Sequence, residues 1–104
     1  MSLLSIFGLS NNKVKEALRN GAVVIDVRTA YEFDLGHVPG SINIPVDRIL
    51  LNVSRIKDMK KPVIFCCTTG ARSGQAVKIM KANGLHEVYN GGNWENVIRI
   101  VNKL

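Results

Sequence analysis

Two adjacent cysteines followed by small and polar residues, Cys66-Cys67-Thr68-Thr69-Gly70-Ala71-Arg72-Ser73, are where this sequence can do covalent chemistry. Thiolate is the reactive form of cysteine, and a local positive field converts the thiol to it. The stretch supplies that field without a histidine base. Its small residues let successive backbone N–H groups turn inward, and the helical pattern that begins near Ser73 brings the positive end of a helix dipole to the same point. Cys67, at the head of the loop, is the candidate nucleophile. Thr68, Thr69, Gly70, Ala71, Arg72 and Ser73 are expected to cradle an anionic substrate. Cys66 lies inside the apolar run Val63-Ile64-Phe65-Cys66 and is read as packing. A disulfide between immediate neighbours would be strained, and two adjacent cysteines cannot staple distant segments as in a secreted scaffold.

Around this loop the sequence offers supporting charges. Asp26, at the end of an apolar run, is expected to orient the loop amides or Arg72 through charge-assisted hydrogen bonds. Arg28 and Glu32, four residues apart at a turn, are expected to form an ion pair that fixes the following segment. Arg72 carries several donors in a fixed fork, so it is expected to brace the loop against Asp26 while contributing positive potential to the substrate. His37 and His86 have no third ligand near them in the pattern, so no metal and no cofactor is expected.

The elements that must position these residues alternate between strand and helix. Asn12 to Asn20 places Val14, Ala17 and Leu18 on one helical face, with Gly21 as its stop. Ala22-Val23-Val24-Ile25-Asp26-Val27 and Val63-Ile64-Phe65-Cys66 are continuous apolar runs, the pattern of parallel strands buried on both faces. Tyr31 to Gly36 reads as a helical turn and Ser41 to Ile44 as a short strand ended by Pro45. Val46 to Ile56 and Ser73 to Asn83 have helical spacing. Leu85 to Asn90 is a last strand, Gly91-Gly92 a tight turn, and Trp94 to Val101 an amphipathic helix. The sum is an α/β domain in which helices cover a parallel sheet, and ligands of such sheets bind beyond the carboxyl ends of the strands. The cysteine loop stands there.

With 104 residues the chain suits one domain, residues 1–104, and its 46% hydrophobic and 21% charged content excludes disorder and fibrous repeats. Its formal charge of +6 favours anions, but the basic residues are scattered and few aromatics interleave them. A small anionic substrate or an acidic partner is therefore expected in place of specific nucleic-acid binding. No apolar stretch approaches the roughly 18 residues of a membrane span, so no membrane partner is expected. The segment Leu3 to Leu9 lacks preceding basic residues and a small-residue cleavage site, which points to a cytoplasmic location.

Four ordered segments carry a family resemblance: Asp26-Val27-Arg28 with Glu32-Phe33, then Gly36-His37-Val38-Pro39-Gly40-Ser41-Ile42-Asn43-Ile44-Pro45, then the cysteine loop, then Gly91-Gly92. From Val23 to Gly92 the sequence resembles single-domain rhodanese-like sulfurtransferases. The resemblance implies a small parallel five-stranded sheet flanked by helices on both faces, and a persulfide-forming cysteine at the position of Cys67. It also implies a sulfane-sulfur donor such as thiosulfate and a thiophilic acceptor such as cyanide or a thiol. Thr68 stands where many members carry Arg. Two other functions share the fold: a sulfur carrier with protein donor and acceptor, and a phosphatase or arsenate reductase-like enzyme, whose cysteine and arginine are separated by five residues as Cys66 and Arg72 are. Gly70, three residues after Cys67, fits the sulfurtransferase spacing.

Overall fold

The computed structural model describes the backbone of residues 3–104 and the side chains of residues 11–104. Its sheet has four parallel strands, β1 (Val23–Asp26), β2 (Ile42–Asn43), β3 (Val63–Cys67) and β4 (Val88–Asn93), in the spatial order β2-β1-β3-β4. The helices are α1 (Leu3–Arg19), α2 (Ala30–Leu35), α3 (Val53–Asp58), α4 (Ala71–Ala82) and α5 (Trp94–Val101). The count of five strands is corrected to four among the described residues. The segment that precedes β1 is helical from Leu3 to Arg19, which leaves no strand there to add to the edge.

Strand side chains alternate between faces, and the two faces hold separate cores. On one, Ile25, Val63, Phe65 and Cys67 pack with Ile56 of α3 and with Ala76 and Met80 of α4. On the other, Val24, Ile64 and Cys66 pack with Val14 and Ala17 of α1 and Val97 of α5. Every side chain of β3 is buried, as a central strand covered on both faces requires.

Several boundaries differ from the expectation; α4 begins at Ala71 and not at Ser73, and β4 begins at Val88 and not at Leu85. Helix α1 starts at Leu3 and not at Asn12. The Val46–Ile56 stretch breaks into two 3-10 turns, Val46–Arg48 and Leu50–Asn52, before α3; Ile49 and Ile56 are buried while Leu50 and Leu51 stay exposed, so one continuous stripe does not face the core. Gly91 and Gly92 belong to β4, where the pairing register slips between Phe65 and Cys66 so that Cys66 faces Gly92. The slip is a bulge, which bends the strand and re-aims its end. Gly91 is packed so closely that a Cβ there would stand 2.8 Å from Ile64 and 2.9 Å from Val97.

Candidate active site

The period of two along β3 separates the adjacent cysteines. Cys66 belongs to the core under α1 and α5, while Cys67 belongs to the α4 face. Burial pushes the Cys66 thiol up to about 12, and the nearby Asp26 carboxylate adds to the effect. A thiol so held is not a nucleophile near neutrality.

Cys67 sits where β3 ends and the chain turns into α4. Gly70, with φ of 96°, turns the loop so that its N–H donates to the Cys67 sulfur at 3.0 Å. An L side chain rarely adopts that conformation, so glycine is needed at this one step. The Ser73 N–H donates to the same sulfur at 3.5 Å, and the Ser73 hydroxyl lies 3.2 Å from it. Burial by itself would push the Cys67 thiol up, but the hydrogen bonds its thiolate receives from the Ser73 hydroxyl and from the Ser73, Gly70 and Thr69 amides outweigh it and hold its pKa below the ordinary value. The start of α4, at Ala71, adds the favourable end of its dipole.

A ring of side chains holds this loop. Arg72 forms an ion pair with Glu32 of α2 at 2.7 Å and donates to the Thr68 hydroxyl at 3.2 Å. Thr69 receives the Ala71 N–H at 3.4 Å. From β4, Asn90 reaches across: its amide nitrogen donates to the Gly70 carbonyl at 3.0 Å, and its oxygen accepts from the Ser73 hydroxyl at 2.7 Å and from the Gly92 N–H at 2.9 Å. Beside the loop opens a cavity of about 600 Å³ lined by Thr69, Gly70, Asn90, Asn93, Asn96 and Arg99, among others.

The supporting charges are wired differently from the expectation. Asp26 does not meet Arg72. Its fully buried carboxylate is taken by Arg28, through the backbone N–H and the guanidinium, with a closest contact of 2.7 Å. A buried carboxylate needs a partner, and Arg28 is nearest along the chain. Arg28 therefore does not pair with the Glu32 side chain; it donates to the Glu32 and Gly36 carbonyls and lies over the Trp94 ring at 4.7 Å. Thr29 and Glu32 close a capping box at the start of α2, which turns the Glu32 carboxylate toward Arg72. His37 stacks on Phe33 and contacts the Phe33 carbonyl at 2.7 Å.

The sequence reading missed Glu32 as the partner of Arg72, and it missed Asn90 altogether. The Thr29-x-x-Glu32 spacing is a capping-box pattern and carried the first signal. For Asn90 the signal was weaker: a polar residue at the exit of an apolar strand, just before two glycines.

This arrangement, a thiol at the carboxyl end of a central parallel strand with loop amides converging on it, agrees with what the chain is similar to. The pattern of the rhodanese-like domain matches residues 10–94, and the chain belongs to that family. It is 39% identical over 69 residues to the uncharacterized protein YqhL of Bacillus subtilis, covering 66% of this chain and 54% of that protein. It is 33% identical over 82 residues to the thiosulfate sulfurtransferase GlpE of Ectopseudomonas mendocina, covering 79% of this chain and 74% of that one. The structure of a rhodanese with anions from E. coli superposes with a TM-score of 0.66 at 32% identity, over 72% of this chain and 89% of the other. The chain thus spans about half the length of YqhL, and only 28% of a tRNA uridine(34) hydroxylase from Buchnera aphidicola that it also matches. The fold is the rhodanese fold. Among the described residues, no helix is long and apolar enough to cross a membrane.

Proposed function

We propose that the protein is a sulfurtransferase that carries sulfane sulfur as a persulfide on Cys67. The observation that carries this reading is the Cys67 sulfur itself, which receives the Gly70 and Ser73 amides at 3.0 and 3.5 Å and lies below its ordinary pKa despite burial. Its similarity to a thiosulfate sulfurtransferase supports the same chemistry. The Cys67 thiolate attacks the outer sulfur of thiosulfate, an S–S bond forms, the donor's S–S bond breaks, and sulfite leaves with the electron pair. An acceptor thiolate then attacks the outer persulfide sulfur, and the Cys67 thiolate is regenerated. Each step is a displacement at sulfur and needs neither a metal nor an external oxidant. The loop amides and the α4 dipole stabilise whichever sulfur bears the charge.

A second reading, a carrier whose donor and acceptor are proteins, draws support from Arg72. Its guanidinium is engaged by Glu32 and Thr68. Thr68 adds no charge of its own for a free anion. The phosphatase reading has less support, because the cysteine with matching spacing, Cys66, lies on the opposite face of the sheet.

Intact-protein mass spectrometry after incubation with thiosulfate tests the proposal. The protein should gain one sulfur atom that reductant removes; Cys66→Ser should keep the gain and Cys67→Ser should lose it. Labelling that follows Cys66 would overturn the assignment. Turnover of p-nitrophenyl phosphate above thiosulfate:cyanide transfer would favour the phosphatase reading, and the absence of both activities would favour a carrier with a dedicated partner.

A further inference from the structure

Asn90 is exposed, yet its side chain makes three hydrogen bonds inside the protein, and all three concern the cysteine loop or the bulge behind it. Its orientation is determined. Because the Gly70 carbonyl only accepts, the amide nitrogen must face it, and the side-chain oxygen must face the Ser73 hydroxyl and the Gly92 N–H, both donors. A serine hydroxyl has one proton. At 2.7 Å from an acceptor-only oxygen, Ser73 spends that proton on Asn90, and its 3.2 Å contact with Cys67 is then filled by the cysteine S–H. A charged Cys67 sulfur has no proton to give and asks Ser73 for its own.

We propose that Asn90 is a positioning residue for Cys67: its side-chain oxygen competes with the Cys67 sulfur for the single hydroxyl proton of Ser73, and so sets how readily that sulfur carries negative charge. In the free thiolate the Ser73 hydroxyl turns to the sulfur. When a second sulfur is attached, the charge moves to the outer atom and the hydroxyl returns to Asn90. The Gly92 N–H keeps the Asn90 oxygen partnered in both states, so the turn leaves no orphaned acceptor. The amide nitrogen of Asn90, by holding the Gly70 carbonyl, also keeps the Gly70 N–H aimed at the sulfur. The persulfide half of this cycle rests on the sulfurtransferase reading; the competition for the proton needs only a reactive Cys67.

Among the described residues, the other titratable groups about Cys67 are Arg72 of α4, paired with Glu32 of α2, the Asp26–Arg28 pair at the end of β1, the uncharged Cys66 thiol of β3, and Arg99 of α5 across the cavity beside the loop. The part of β4 that faces the loop, Asn90 to Asn93, carries no titratable group. The test changes none of these except Cys66, replaced by Ser so that Cys67 is the only thiol. In that background, iodoacetamide alkylation rates are measured against pH for the single substitutions Asn90→Asp and Ser73→Ala and for the two combined.

Asn90→Asp keeps the acceptor oxygens, strengthens them with charge and removes the donor. The midpoint should rise by about one pH unit, a roughly tenfold loss of thiolate below it. The direct effect of the new charge on the sulfur is present whether or not Ser73 is, so the comparison isolates the route through the hydroxyl. In the Ser73→Ala protein the same substitution should move the midpoint less than half as far. Equal shifts with and without Ser73, or no shift at all, overturn the proposal. Asn90→Gln gives an uncharged second reading should the aspartate variant fail to fold: it should shift the midpoint when Ser73 is present and leave it unchanged in Ser73→Ala, and equal shifts in both again overturn the proposal. Sulfur loading of the parent by thiosulfate is read separately by mass, so a parent that takes no sulfur counts against the transferase reading and leaves the titration of Cys67 to decide the role of Asn90.

Discussion

Glu32 serves two partners with one carboxylate. It closes the capping box on Thr29 and pairs with Arg72 across to α4. The Arg72 hydrogen bond, followed by the Thr29 N–H, lowers its pKa to about 2. A carboxylate depressed below its unfolded value, about 4.3, contributes stability that is present above that value and lost as pH falls through the folded one. Glu32→Gln keeps an acceptor for Thr29 and loses the charge. The side chains of the pair are about one-third exposed, 33% for Arg72 and 32% for Glu32, so solvent screening limits the loss at pH 7 to under about 1 kcal/mol. Urea unfolding of parent and variant at a series of pH values should show the difference shrinking between about pH 4.5 and 2. A difference that persists undiminished at the acid end would place its origin outside the ion pair.

At the scale of elements, the site depends on how β4 leaves the sheet. The bulge opposite Phe65 and Cys66 lets the strand bend after Asn90, and Gly91 fills the bend against Ile64, Val97 and the Phe65 carbonyl. Gly91→Ala would put a methyl group into that contact at 2.8 Å from Ile64, 2.9 Å from Val97 and 3.2 Å from the Phe65 oxygen. Overpacking of this kind costs about 1–3 kcal/mol. Chemical denaturation should show the loss, and sulfur loading should fall with it, because a displaced β4 takes the Asn90 contacts to Gly70 and Ser73 along. An alanine variant as stable as the parent would mean that α5 yields without cost.

At the scale of the whole molecule, Arg28 ties the sheet to the segments around it. It neutralises the fully buried Asp26, holds the carbonyls of Glu32 and Gly36, and lies over Trp94 at the start of α5. One side chain thereby connects β1, α2 and α5. Arg28→Met keeps much of the apolar stem and leaves the Asp26 carboxylate buried without its cation. Breaking a buried pair from one side costs about 3–5 kcal/mol. Equilibrium unfolding in urea near neutral pH measures it. Restoring most of the loss with Asp26→Asn in the same chain would identify the unpaired charge as the cause, and a loss that the second change does not touch would assign it to the Trp94 and carbonyl contacts.

Much of this was legible in the sequence for local reasons. Buried parallel strands need continuous apolar runs, which marked β1 and β3; the small residues after Cys67 marked a loop able to turn its amides inward. Alternation along a strand also separates Cys66 from Cys67 once the strand is known to end at Cys67. The partners of the charges were different. Arg28 takes acceptors two, four and eight residues away in the chain at once, and it can reach all three only because β1 and α2 close around it. Arg72 and Glu32 are 40 residues apart and Ser73 and Asn90 are 17 apart, so no local spacing marks them as neighbours. The bulge in β4 is likewise a matter of register against β3. Backbone propensity and side-chain period act over a few residues and are written along the chain, whereas the pairing of polar groups follows desolvation, which is set only when the strands and helices close around them.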